Sequence, residues 1–320
     1  MSTDTASMPS FPGGGRYHRL RPALEERFGE RVHKVTLRGG FGCPNRDGRV
    51  GTGGCIFCSE LALLPISGPV DGPVEVQMEA GLDVARRRFK AEKIIAYFQD
   101  NTATDGPIDM LDDLYRTAIS HPRVVALSVG TRPDWIADEV YQLLTDLAEI
   151  KPVFLELGLQ SANDETLRAV NRNHTVADFE SAVERSHDHG LEVIAHIILD
   201  LPGEGEPHRA RTADCLNRNR VEGVKIHNLH VLDGTPLAQM YRDGSVKLCS
   251  LDGYTRMTVD FLGRLDPGMV IHRLTGEGPA SLMLAPEWGR DKRRVRGRIE
   301  RLLETSDSWQ GMRAGDHAGI

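Results

Sequence analysis

Six short apolar runs, rich in β-branched residues, punctuate the chain, and each is separated from the next by a stretch with helical spacing. The runs are Val32–Leu37, Ile94–Phe98, Val124–Val129, Val153–Leu157, Leu191–Leu199 and Val224–Leu229. Runs of that kind read as parallel strands buried on both faces. Between them, Ile136, Val140, Leu143, Leu144 and Leu147 recur at helical spacing within Asp134–Ile150, as do Met78, Leu82, Ala85 and Phe89 before the second run. Thr175 with Asp178 has the spacing of a capping box for a helix running to His189, where Gly190 supplies a stop. Repeated strand–helix alternation requires a parallel sheet with right-handed crossovers. Periodicity leaves two forms open, a flat doubly wound sheet and a curved, partial barrel. After Leu232 the alternation weakens. A helix over Leu251–Leu265, a strand-like Met269–His272 and a basic helix over Lys292–Thr305 predict a C-terminal extension (233–305) packed on the sheet unit (16–232), with a tail over 306–320.

The 320 residues are 40% hydrophobic and 27% charged, with a net charge of −7, so the chain is globular and carries no overall basic field for nucleic acid or an anionic membrane. No apolar stretch is long enough to span a bilayer. Residues 1–15 read as a disordered leader of Ser, Thr, Pro and Gly rather than a signal peptide. The five cysteines are an odd number and three are clustered, which argues against a disulfide framework and for a reducing cytosol.

That cluster is Cys43, Cys55 and Cys58, in a glycine-rich loop (39–60) directly after the first strand. Ligands of parallel α/β folds gather at the carboxyl ends of strands. So many glycines predict a tightly folded backbone with N–H groups turned inward, as in anion-binding nests. Three thiols are one short of a closed structural zinc site. Zinc would need a fourth ligand such as His33 or Asp47, whereas an iron–sulfur cube on three cysteines keeps one iron open. The spacing favours the cluster over zinc; a zinc-stabilised binding module and an electron-transfer iron–sulfur protein are the alternatives.

Cys-x11-Cys-x-x-Cys after a first strand, with Phe57 before the last cysteine, resembles the radical S-adenosylmethionine (SAM) superfamily. Leu37-Arg-Gly-Gly-Phe-Gly-Cys-Pro-Asn-Arg-Asp-Gly48 and Gly53-Gly-Cys-Ile-Phe-Cys58 narrow the resemblance to the YhcC-type branch, which is related to the radical SAM core of the Elongator catalytic subunit. It continues in order through Ala96–Thr102, Val129–Asp134, Leu155–Ser161, Asn171–His174, His196 with Asp200–Glu204, and Lys225–His230. The resemblance implies a partial (β/α)6 TIM-like barrel. It also implies a [4Fe-4S] cluster on Cys43, Cys55 and Cys58, with SAM chelated to its open iron. An electron from a reductant such as flavodoxin or ferredoxin then cleaves SAM to methionine and a 5′-deoxyadenosyl radical, which abstracts hydrogen from a substrate.

By the same resemblance, Gln160 and Arg172 are SAM contacts, Arg172 through a bidentate fork to the carboxylate. Gln99, Asn101 and Thr102 border its methionine part, and Thr131 and Arg132 face SAM or an anionic substrate group. Glu156, a charge inside an apolar strand, points into the barrel with Gln160 by alternation and is a candidate SAM or substrate contact. His196, a further candidate SAM contact, stands where several relatives carry an acidic or other polar SAM contact and departs from them in residue type. Asp134 reads as a helix initiator. His227 and His230, three apart on a strand, are expected on opposite faces. Asp105, Arg132 and His230 are candidate substrate contacts. Cys215 and Cys249 read as core or incidental. The basic run 290–301 is a solvated helix face or a contact for transfer RNA, on whose wobble uridines wider relatives act. The acetyltransferase domain of the Elongator subunit has no counterpart here.

Overall fold

The computed structural model describes residues 7–59, 72–276 and 278–314. Its main sheet is parallel throughout. β1 (Val32–Leu37), β2 (Lys93–Phe98), β3 (Val124–Thr131), β4 (Val153–Gln160), β5 (Glu192–Leu199) and β6 (Gly223–Asn228) lie side by side in chain order, and β8 (Val270–Arg273) follows β6. A doubly wound sheet reverses its order at a switch point. The unbroken order therefore selects the partial barrel, here a seven-stranded half-barrel among the described residues. The strand-like Met269–His272 is thus not merely packed on the sheet; β8 extends it.

The crossovers are α2 (Val74–Val84), α3 (Ile108–Ser120), α4 (Asp138–Ala148), α5 (Asp164–Ala169) with α6 (Val176–Asp188), and α7 (Glu206–Arg218). Their sequences explain their limits. On α4, Val140, Leu143, Leu144 and Leu147 form the buried stripe. On α6, Asp178 N–H donates to Thr175 Oγ1 at 3.2 Å and Thr175 N–H donates back to Asp178 Oδ2 at 2.7 Å. Gly190, at φ +68°, ends the turn that follows α6. α8 (Pro236–Arg242), α9 (Leu251–Arg264) and α10 (Lys292–Thr305) belong to the extension, with a two-stranded ribbon of β7 (Val231–Leu232) and β9 (Met283–Ala285).

The concave face of the sheet is layered, as barrel interiors are. Lowest is an apolar layer in which Ile95, Ala126, Phe154 and Ile194 meet Leu24 of α1 (Leu20–Phe28), which closes that end. Two residues further along the strands come Tyr97, Ser128, Glu156 and His196. Two further again come Gln99, Gly130, Gly158 and Ile198, nearest the carboxyl ends.

Both termini differ from expectation. Residues 1–6 and 315–320 lie outside the described residues, as does residue 60 at the end of the cysteine loop. Within the expected leader, Phe11 is buried and Arg19 donates to the Gly13 and Gly14 carbonyls at 2.6 and 2.9 Å. Within the expected tail, Gln310 is fully buried and holds the carbonyls of Asp266 and Met269, at 2.6 and 2.8 Å. Each segment packs because it satisfies buried carbonyls or buries an apolar ring, which composition did not reveal.

Candidate active site

The cysteine loop is tied down from three sides. At its start, the N–H groups of Gly39, Gly40 and Phe41 converge on the Asp100 carboxylate beyond β2, at 3.2, 3.0 and 3.4 Å. The expected nest exists, and its anion is a side chain of the protein itself. Burial pushes the Asp100 carboxyl up while those three N–H groups pull it down. In the middle, fully buried Asn45 donates to the Asn171 carbonyl (2.7 Å) and accepts from Asn173 Nδ2 (2.7 Å). Asn171 in turn donates to the carbonyls of Thr52 and Gly54, at 3.1 and 2.7 Å. At the far end, Ile56 N–H reaches the Val170 carbonyl and Leu237 N–H of α8 reaches the Ile56 carbonyl.

The three thiols are free, and two of them receive hydrogen bonds. Arg46 reaches Cys58 Sγ at 3.0 Å; Asn45 and Arg172 reach Cys55 Sγ at 3.6 and 3.8 Å. No three His, Cys, Asp or Glu side chains among the described residues form a single-ion site. The fourth zinc ligands considered from sequence are engaged elsewhere. His33 stacks on Phe89 at 3.9 Å, and Asp47 pairs with Arg49.

Above the loop stand the arginines. Arg172 donates through one guanidinium nitrogen to the Gly158 carbonyl at 2.9 Å, and its Nε is buried with no partner. Arg132, only 2% exposed, places one nitrogen against Asp134 Oδ2 (2.8 Å) and the carbonyls of Arg172 and Asn173 (3.0 and 3.3 Å). Its Nε and other terminal nitrogen are buried without a partner. Orphaned buried donors of this sort are costly unless a ligand takes them. Asp134 therefore holds Arg132 instead of initiating a helix; α4 starts four residues later, at Asp138.

Gly158 makes room here. A Cβ on it would lie 2.6 Å from Arg172 and 2.9 Å from Gln160 Nε2. Gln160, at φ +71°, makes no side-chain hydrogen bond among the described residues, nor does Gln99. Asn101 donates to the Phe41 carbonyl at 2.9 Å, while the buried Thr102 hydroxyl is unpartnered. Thr131 is committed to Thr104, at 2.6 Å between hydroxyls. Nearby, Arg49 forks onto Asp105 at 2.6 Å and stacks over Trp135, at the edge of a cleft of about 590 Å³.

One layer down, Glu156 does point into the barrel, but its oxygens are taken. Lys34, Lys225 and Ser128 contact it, and His196 Nε2 lies 2.7 Å away. Both ammonium groups also sit over the Tyr97 ring, Lys225 at 4.1 Å and Lys34 at 4.8 Å. Burial would raise the Glu156 carboxyl; Lys225, Lys34 and His196 outweigh it and hold it well below the carboxylate range. Burial, with Lys225 beside it, pushes His196 down to about 4 against the pull of Glu156. His196 is thus a neutral donor to Glu156. These two candidates form the floor beneath the site, with Lys34, Tyr97 and Lys225, which sequence reading missed. Their signal was available: polar residues at matching heights inside otherwise apolar strands.

His227 and His230 converge, contrary to the spacing argument. β6 ends at Asn228, and His230 lies in the short irregular link to β7, so the strand alternation no longer applies and both rings approach Gly276. Cys215 is buried in α7 and Cys249 is half-buried before α9.

A family model described as the Radical SAM superfamily matches residues 40–216, more than half of the chain. The chain belongs to the radical SAM superfamily. A second model, the Radical SAM C-terminal domain, matches residues 221–305. Among its relatives, this radical SAM chain is 38% identical over 296 residues to the YtqA protein of Bacillus subtilis (strain 168), covering 92% of each. It is 35% identical over 266 residues to the YhcC protein of Escherichia coli (strain K12), covering 83% of this chain and 85% of that one. It is of the YhcC type. Elongator complex protein 3 of Saccharomyces cerevisiae matches at 27% over 164 residues, half of this chain and 29% of that protein. The archaeal Methanocaldococcus infernus Elp3, solved with an N-terminal deletion, superposes with a TM-score of 0.66 at 17% identity, over 87% of this chain and 64% of that one, a likeness of fold. Membership assigns the chain SAM-dependent radical chemistry.

Proposed function

We propose that Cys43, Cys55 and Cys58 hold a [4Fe-4S] cluster whose open iron takes SAM, making the chain a radical SAM enzyme acting on a substrate in the half-barrel. The observation that carries this reading is the loop itself. It presents three thiols, two of them hydrogen-bonded by Arg46, Asn45 and Arg172, as cluster sulfurs commonly are. When bound and reduced, the cluster supplies the electron that cleaves SAM to methionine and a 5′-deoxyadenosyl radical.

The chain's own residues bind and orient. Arg172 and Arg132 offer unpartnered guanidinium nitrogens to the carboxylate of SAM, and Gln160 offers its amide across the gap that Gly158 leaves. Gln99, Asn101 and Thr102 line the methionine side. Thr131 acts by holding the loop after β3 through Thr104, and Glu156 and His196 act from below as positioning residues. The closed apolar layer on α1 keeps water from that end.

A transfer RNA substrate is the second part of the proposal. It rests on α10, where Arg293, Arg294, Arg296, Arg298 and Arg301 are exposed while Val295, Ile299 and Leu303 bury the opposite face. Arg298 and Arg296 already pair with Asp252 and Glu300, which lowers the charge free for phosphates. The test is anaerobic reconstitution followed by iron and zinc analysis. Roughly four irons per chain, lost in Cys55→Ala, are expected; one zinc and no iron would overturn the cluster. Incubation with bulk transfer RNA and nucleoside mass spectrometry tests the substrate, and an unchanged nucleoside profile contradicts it.

A further inference from the structure

The polar floor of the half-barrel carries more positive charge than Glu156 can neutralise. Lys34 and Lys225 share that one carboxylate. Beside them, the side chain of Arg273 on β8 makes no hydrogen bond or ion pair with any described residue, although it lies within electrostatic reach of Lys225, His196, His227 and His230. A bulge brings it there. β8 pairs Val224 with Ile271 and then Lys225 with Arg273, leaving His272 as the extra residue. Bulges re-aim side chains in this way. Gly223 makes room for His272, whose Nε2 would lie 2.7 Å from a Cβ at that position.

Two imidazoles, His227 and His230, lie within electrostatic reach of the guanidinium, and each has a buried Nε2 without a partner; His272, lower in the lumen beside Gly223, has an unpartnered Nδ1. Burial, with Arg273 next, pushes His230 down to about 4; His227 and His272 fall well below their ordinary range for the same first reason. They are neutral rings, each with one N–H to give. The wall opposite is backbone. A Cβ at Gly276 would stand 3.0 Å from His230 Cε1 and 3.1 Å from His227 Nδ1, and one at Gly289 would stand 3.3 Å from His230 Nε2. Asn228 fixes that wall, its Oδ1 accepting from Thr275 Oγ1 (2.7 Å) and Gly276 N–H (3.1 Å). His196 and His227 stack at 5.4 Å, joining this group to the floor beneath the SAM side of the lumen.

We propose that Arg273, with His227 and His230, is the receptor for a phosphoryl group of the substrate. An unpaired guanidinium ringed by neutral donors is matched by an oxyanion. The donors come from β6, from the link after it and from β8, so they approach from several directions, which suits a tetrahedral phosphoryl group better than a planar carboxylate. The positive charge left in excess matches a phosphate ester. The proposal rests on the reading of the lumen as the substrate chamber, but its test does not require SAM cleavage.

Inorganic phosphate, uridine 5′-monophosphate, uridine and a short single-stranded RNA are titrated calorimetrically into reconstituted wild type, Arg273→Gln and Arg273→Lys, with S-adenosylhomocysteine as a control. Phosphate-bearing probes are expected to bind Arg273→Gln at least about tenfold more weakly, and Arg273→Lys in between. S-adenosylhomocysteine should bind all three alike, and Arg273→Gln should melt no lower than wild type because the Arg273 side chain has no partner among the described residues. Preference for the monophosphate identifies a nucleotide, and preference for the RNA identifies a backbone phosphate; each must depend on Arg273. Equal phosphate binding by wild type and Arg273→Gln, or none by wild type at millimolar concentration, overturns the proposal. So does RNA binding lost only in Arg293→Gln/Arg294→Gln. Failure of wild type to bind S-adenosylhomocysteine would instead count against the SAM reading and leave the phosphate titration to be judged separately.

Discussion

Glu156 shows what a single residue decides. Its carboxylate is fully buried and faces two ammonium groups, a hydroxyl and an imidazole. Removing the charge strands Lys34 and Lys225, so Glu156→Gln is expected to lose about 3–5 kcal/mol of stability, and Glu156→Gln/Lys225→Met to regain part of it. Chemical denaturation checks both; an unchanged midpoint for the single variant contradicts the network. The histidines set the pH response. His174, His196 and His230 are each held near 4 in the folded state against 6.5 unfolded. Between those values the unfolded chain binds protons that the folded chain refuses, so stability rises with pH through the window and is lost as pH falls. Buried Asp100 and Glu204, whose carboxyls are raised, oppose this nearer pH 4. Because His227 and His272 are held down as well, between pH 6.5 and 5 the unfolding free energy should fall with a net uptake of more than about three protons; a flat profile there would contradict neutral, buried rings. The inward direction of Glu156 was legible from strand alternation. Its partners were not, because Lys34 and Lys225 lie far from it in sequence and only the closure of the sheet brings them together.

At the scale of elements, the cysteine loop and the α5–α6 connection work as one unit. Asn171, Arg172 and Asn173 reach Gly54, Cys55 and Asn45, and the left-handed conformations of Asn171 and Asn173 turn their amides toward the loop. Asn45→Ala removes a buried group with three partners and is expected to cost about 1–3 kcal/mol and to speed iron loss to a chelator. Normal iron retention would show that the loop keeps its shape without this staple. At the end of β4, Gly158→Ala would drive Arg172 and Gln160 aside. Affinity for S-adenosylhomocysteine should fall about tenfold with little change in melting temperature; unchanged affinity would remove both residues from the SAM pocket. Strand and helix positions were legible because their periodicity and caps are local, as with Thr175 and Asp178. The role of Asp134 was misjudged because a residue that resembles an N-cap is taken by an arginine two positions before it.

For the whole molecule, strand order is the deciding feature. Six strands in chain order were legible from alternation, but curvature was not, since a flat sheet has the same period. β8 was legible as a strand and not as the seventh member, because pairing with β6 depends on a crossover through α8 and α9 that no local pattern marks. The result is a lumen with an apolar end at α1, an ionic floor, and a rim where arginines with unpartnered nitrogens face the thiol loop. That arrangement is the basis for placing the cluster, SAM and substrate in one chamber. The direct measurement is formation of 5′-deoxyadenosine when the anaerobically reconstituted protein is reduced in the presence of SAM. Wild type is expected to produce it, and Cys43→Ala, Cys55→Ala and Cys58→Ala to produce none. A wild-type protein that carries a full cluster, binds SAM and still forms no 5′-deoxyadenosine would contradict the account.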